Sequence, residues 1–139
     1  MGIEIDRVDF AAQDYRDFQR CLEENLEVLE ELLERPGFGQ GEGSVGAELE
    51  MYLVDDQGRP LYANQEVMEE AQDPALTLEL NRYNLEYNLS PYTLGASPFR
   101  ATEAEILQRM GHLRTVVARR GGRIVPIGIL PTLRQTVFG

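Results

Sequence analysis

A chain of 139 residues with 42% hydrophobic and 27% charged residues is long enough to bury one core and too apolar to remain disordered. A formal net charge of −11 and a pI near 4.5 argue against nucleic acid or an anionic membrane as the main partner, yet leave room for a nucleotide carried by a divalent cation. One cysteine, Cys21, excludes an internal disulfide. No apolar run approaches the ~20 residues of a membrane span, and "MGIEIDRVDF" does not read as a signal peptide, so a cytoplasmic protein is expected.

Residues 11–35 predict one helix. Phe18, Leu22, Leu26, Leu29 and Leu33 recur at three- and four-residue spacing, and Asp14, Asp17, Glu23, Glu24, Glu27, Glu30, Glu31 and Glu34 make the remaining surface acidic. Pro36-Gly37 stops it. The glycine-rich "GFGQGEGSVG" leads into a strand and carries no Gly-Lys-Ser or Gly-Lys-Thr, so it reads as a connector and not as a phosphate loop. "SVGAELEMYLV" alternates with period two. Val45, Ala47, Leu49, Met51 and Leu53 form an apolar face, and Gly46, Glu48, Glu50, Tyr52 and Val54 form a face that starts polar and ends mixed. "DDQGRP" supplies turn chemistry, with a return through Pro60-Leu61-Tyr62.

Residues 64–71 predict a short helix with Asn64 as N-cap. Thr77 to Pro91 is strand-like with a bend near Asn81-Arg82; Leu85, Tyr87 and Leu89 alternate with Asn84, Glu86 and Asn88. A second long helix is expected over 101–120, with Thr102 and Glu105 at capping-box spacing, a stripe of Ile106, Met110, Leu113 and Val117, and Gly121-Gly122 as the stop. "RIVPIGILPTL" is continuously apolar and predicts a central strand.

Glu48, Glu50, Glu79 and Glu86 therefore stand in otherwise apolar strand segments. Two glutamates two residues apart on a strand are roughly 7 Å apart at the backbone and repel by about 2 kcal/mol at an effective dielectric of ~20. If the strands pair, several carboxylates share one face. That face is either solvated, as one side of an antiparallel sheet often is, or bridged by cations. All-oxygen ligation suits Mg²⁺ or Mn²⁺, and Mg²⁺ commonly joins protein carboxylates to nucleotide phosphates. Asn81, Asn84 and Asn88 are placed to orient those carboxylates or bind the ligand.

The ordered set "VGAELEMYLVD", "ELNRYNLEYNLSP", a helix and "RIVPIGILPTL" resembles the N-terminal part of the glutamate–cysteine ligase family, which includes related carboxylate–amine ligases. The resemblance runs over 44–133. Its marks are Gly-x-Glu-x-Glu, here Gly46 to Glu50, and two acids seven apart, here Glu79 and Glu86. It implies an antiparallel sheet similar to the glutamine synthetase catalytic domain. It also implies an enzyme that uses ATP to phosphorylate a carboxylate of an amino acid or small acid, which an amine then attacks. Glu48, Glu79 and Glu86 match metal-binding carboxylates, and Glu50 matches a metal ligand or substrate-positioning group. Arg82 is the candidate phosphate or carboxylate contact, with Arg134 as a second. Cofactors would be ATP with Mg²⁺ or Mn²⁺.

Two departures qualify the match. Related sequences often carry Gly-x-His-Pro where this chain has Gly128-Ile129-Leu130-Pro131, and the chain has no lysine. His112, the one histidine, has no ligand-spaced partner and reads as a surface or core residue. The expected fold is α+β: an antiparallel or mixed sheet with two long helices on one face, residues 1–139 as one domain that forms the N-terminal portion of a larger catalytic domain. Completion by a C-terminal half or by another copy is the expected partnership. The alternative is a non-catalytic metal- or ligand-binding module, or an oligomerisation module, derived from that family.

Overall fold

The computed structural model describes residues 7–134, which form two compact units meeting between Glu42 and Gly43. The first unit is dominated by helix α1, Ala12–Glu34, bounds within a residue of those the spacing predicts. Asp14 closes its N-terminus by accepting the Ala11 N–H (2.8 Å) and pairing with Arg7 (2.9 Å). No residue of α1 is buried.

The second unit is an antiparallel α+β fold, as expected. Its elements are β1 (Ser44–Val45), β2 (Glu48–Val54), α2 (Asn64–Ala71), β3 (Leu76–Leu78), β4 (Asn84–Asn88), β5 (Tyr92–Thr93), α3 (Pro98–Ala118) and β6 (Arg123–Val125). The main sheet has the order β3-β4-β2-β6, and β1 pairs with β5 as a separate ribbon. Period two decides the faces. Leu49, Met51 and Leu53 of β2 lie with Leu85 and Tyr87 of β4 on one side, where α2 and α3 bring Val67, Ala71, Met110, Leu113, Val116 and Val117 into one core. Gly122 closes this layer: a Cβ there would collide with Leu61 and crowd the Val54 carbonyl.

The structure corrects four local expectations. The strand-like stretch 77–91 is a hairpin, β3 and β4, whose turn holds Asn81 and Arg82. Asn64 is the first residue inside α2 and not its cap; its amide donates to the carbonyls of Asn81 (3.1 Å) and Asn84 (3.3 Å) and ties the helix to that turn. α3 starts one turn early, with Pro98 at its N-terminus after Ser97 in the left-handed region, so Thr102 lies inside the helix and Glu105 serves elsewhere. The continuously apolar "RIVPIGILPTL" gives only a three-residue strand at the sheet edge, because Pro126 ends the ladder.

Candidate active site

The helix-free face of the sheet carries the carboxylates. Register sets Glu48 opposite Asn88, Glu50 opposite Glu86, Tyr52 opposite Asn84, and Thr77 of β3 opposite Glu86. Residues directly opposite share a face, with Cβ atoms roughly 5 Å apart. Glu50 and Glu86 are thus like charges placed side by side, which destabilises a sheet unless something intervenes.

This face has two halves. Toward β6, Tyr52, Val54, Tyr83 and Leu130 pack together with Val125 and Leu133, and the Tyr52 hydroxyl donates to the Gly128 carbonyl (3.4 Å). Toward the β1 end the face is open: Glu48 and Glu50 are exposed beside a hollow of about 330 Å³ lined by Gly46, Ala47, Glu48, Asn88 and Leu89. Between the halves Glu86 is buried, at 4% exposure. Its Oε1 accepts from Asn88 Nδ2 (2.8 Å) and Thr77 Oγ1 (3.4 Å), and Asn88 also donates to Thr77 (3.1 Å). One carboxylate is therefore held in a fixed pose by neutral donors, with no arginine beside it.

The structure brings Glu48, Glu50, Glu86, Asn84 and Asn88 onto one face. Glu79 lies one residue past β3; the register continued by one step sets it opposite Asn84, on the same side. Asn81 and Arg82 do not join them. Both are exposed in the hairpin turn, where their carbonyls accept from the Asn64 side chain and backbone, and Arg82 is roughly 13 Å along the strand from Glu86. Arg134 is likewise exposed. His112 is on the helix side, its Nε2 2.9 Å from the Ala71 carbonyl.

Two buried polar atoms have no hydrogen-bond partner among the described residues, Asn84 Oδ1 and the Tyr83 hydroxyl. Asn84 is 7% exposed on the carboxylate face, so an acceptor oxygen stands unused between Tyr52 and Glu86. Burial, then the neighbouring rings of Tyr52 and Tyr62, push the Tyr83 phenol up. Among the described residues no three His, Cys, Asp or Glu side chains are gathered closely enough to hold a metal ion. The donor set is nonetheless of the right kind: hard oxygens from Glu48, Glu50, Glu86 and Asn84, with one carboxylate pre-oriented.

Comparison with known families is decisive here, since the family model for glutamate-cysteine ligase family 2 matches residues 44–138. The chain belongs to glutamate-cysteine ligase family 2. The match covers the sheet, the carboxylate face and α3, and leaves α1 outside it. Neither curated proteins nor solved structures gave a match. Thr77 is a member of the carboxylate face that sequence reasoning missed. Its signal was parity with Glu79, two residues on, but its role depends on pairing with Glu86. No helix of the described residues is long and apolar enough to cross a membrane.

Proposed function

We propose that the C-terminal unit forms the metal- and nucleotide-facing sheet of an ATP- and Mg²⁺-dependent carboxylate–amine ligase. The observation that carries this reading is the cross-strand pair Glu50 and Glu86, like charges opposed on an open face in a family 2 chain. Glu48, Glu79 and Glu86 would hold the cation, and Glu50 would share it or position the substrate. Asn88 and Thr77 fix the Glu86 carboxylate through the hydrogen bonds described, and Asn84 offers its free carbonyl oxygen to the ligand. Bound Mg²⁺ would neutralise charge on the phosphoryl group in transfer. Asn81 and Arg82, in the turn, would reach a substrate that extends along the face toward Tyr52. Further phosphate contacts would come from chain or partner beyond these residues.

Calorimetric titration with Mg²⁺–ADP tests this, with Glu48→Gln/Glu86→Gln as control. Saturable heat that the double variant loses is the expected result. Equal heat in both chains would remove these glutamates from the role.

A non-catalytic binding module is the second reading, and Leu130 favours it. The position matching the histidine of Gly-x-His-Pro is packed against Tyr52, Val54 and Tyr83, where it supports the sheet and presents no ionisable group. Formation of an amide product from ATP, a small carboxylate and an amine by this chain would exclude this reading.

A further inference from the structure

Within its own compact unit, helix α1 leaves an apolar face uncovered. Tyr15, Phe18, Leu22, Leu26, Val28, Leu29 and Leu33 are each between 46% and 69% exposed. At 3.6 residues per turn these residues, with Cys21, Asn25 and Leu32, fall within an arc of about 160°. The acids from Asp17 onward all lie outside that arc; Asp14 falls inside it, in the first turn, where it closes the helix N-terminus and pairs with Arg7. Residues at the flanks of the arc, Gln19, Cys21, Leu26, Val28 and Leu33, carry no charge, so the seam holds no like-charge pair from those positions.

We propose that α1 is a dimerisation helix that pairs antiparallel with α1 of a second copy of this chain. Charge selects the orientation. Over 12–22, Asp14 and Asp17 are balanced by Arg16 and Arg20, whereas 23–34 carries Glu23, Glu24, Glu27, Glu30, Glu31 and Glu34 with no base. A parallel pair would set one acidic half on the other, and an antiparallel pair sets each acidic half against the balanced half. Heptad spacing then gives one register with full overlap: Tyr15 against Leu32, Phe18 against Leu29, and Leu22 against Asn25 of the second copy. Half-exposed side chains of this size offer on the order of 80 Å² each. The seven thus offer roughly 560 Å² per copy, near the ~600 Å² a side at which standard stable interfaces begin. Asn25, the one amide in the seam, is the kind of residue that restricts register at a cost in affinity.

The test is the mass of the full chain by size exclusion with light scattering at roughly 100 μM, a concentration that reveals a micromolar dimer. The expected result is a dimer that Leu22→Glu/Leu29→Glu dissolves, with helix content unchanged by circular dichroism, and that Asn25→Leu tightens by about tenfold or more. In a Cys21→Ser background, Leu22→Cys chains mixed with Asn25→Cys chains should oxidise to mixed disulfides in preference to self-linked ones. A monomer at that concentration would overturn the proposal. So would a dimer indifferent to the two glutamates, and self-linked Leu22→Cys chains would overturn the antiparallel orientation.

Discussion

The C-terminal unit holds carboxylates on opposite sides of one sheet, and Glu105 and Asp73 on one side meet different neighbours from Glu50 and Glu86 on the other. On the helix side Arg109 pairs with Asp73 (2.5 Å) and Glu105 (2.8 Å) and lies over the Tyr87 ring. Glu105 also accepts from the Ser90 N–H (3.0 Å), the Ser90 hydroxyl (3.1 Å) and the Tyr92 hydroxyl (3.1 Å). Burial raises the pKa of both acids, but hydrogen bonds from Arg109, joined by the Ala75 N–H at Asp73 and by Ser90 and Tyr92 at Glu105, together outweigh it, so both carboxyls are held below their ordinary range. On the other side Glu50 faces Glu86, and among the described residues neither forms an ion pair with a guanidinium. A carboxylate group closed by its own counter-charge joins α3 to the 73–92 segment and is structural. The opposed pair Glu50 and Glu86, like charges on neighbouring strands, costs stability instead.

The largest way to break this contrast is to remove the counter-charge. Arg109→Leu leaves two largely buried carboxylates uncompensated and should lower stability by about 2–3 kcal/mol, a fall in Tm of roughly 10–20 °C. Because both folded pKa values are depressed, this stabilisation is present above the unfolded carboxylate range near pH 4 and is lost as pH falls through it. The gap between wild type and variant in thermal melts should therefore narrow below about pH 4. A gap that is constant with pH would mean packing, not charge, sets the loss.

The open face should answer in the opposite sense. Glu50→Gln should leave stability unchanged or raise it by up to about 1 kcal/mol, because it removes repulsion and no hydrogen bond. Millimolar Mg²⁺ should raise the Tm of the wild type and have little effect on Glu48→Gln/Glu86→Gln. A destabilised Glu50→Gln would show that the carboxylate is held by contacts of its own.

Smaller effects sharpen the picture. The Tyr83 hydroxyl is buried without a partner among the described residues, at 2% residue exposure, so Tyr83→Phe should be neutral or stabilising by up to about 1 kcal/mol in denaturant unfolding. A clear loss would place an unseen partner at that oxygen. Glu70 pairs with Arg119 and Arg120 (both 3.0 Å) at the surface, its side chain 29% exposed, and Glu70→Gln should lower Tm by no more than a few degrees, less at high salt.

Local sequence determined which residues could share a face. Alternation in 48–54 and 84–88 separates Leu49, Met51, Leu85 and Tyr87 from Glu48, Glu50, Glu86 and Asn88 without any knowledge of pairing, because the pleat has period two. Spacing alone likewise placed α1 and the core stripe of α3, and the ordered motifs pointed to the family. Tertiary structure decided what each glutamate meets. Whether Glu50 stands opposite Glu86 or one step away depends on the β2–β4 register, which the shared core sets. Glu105 read as a helix cap by its distance from Thr102, yet the helix starts at Pro98 and the carboxylate closes a network with Arg109, Ser90 and Tyr92 from distant segments. The apolar run after Arg123 looked central, but a proline and its place at the sheet edge left three residues of strand, with Leu130 spent on packing. Periodicity is a property of one segment. Neutralisation, register and edge position belong to pairs of segments far apart in the chain, and only the folded core brings those together.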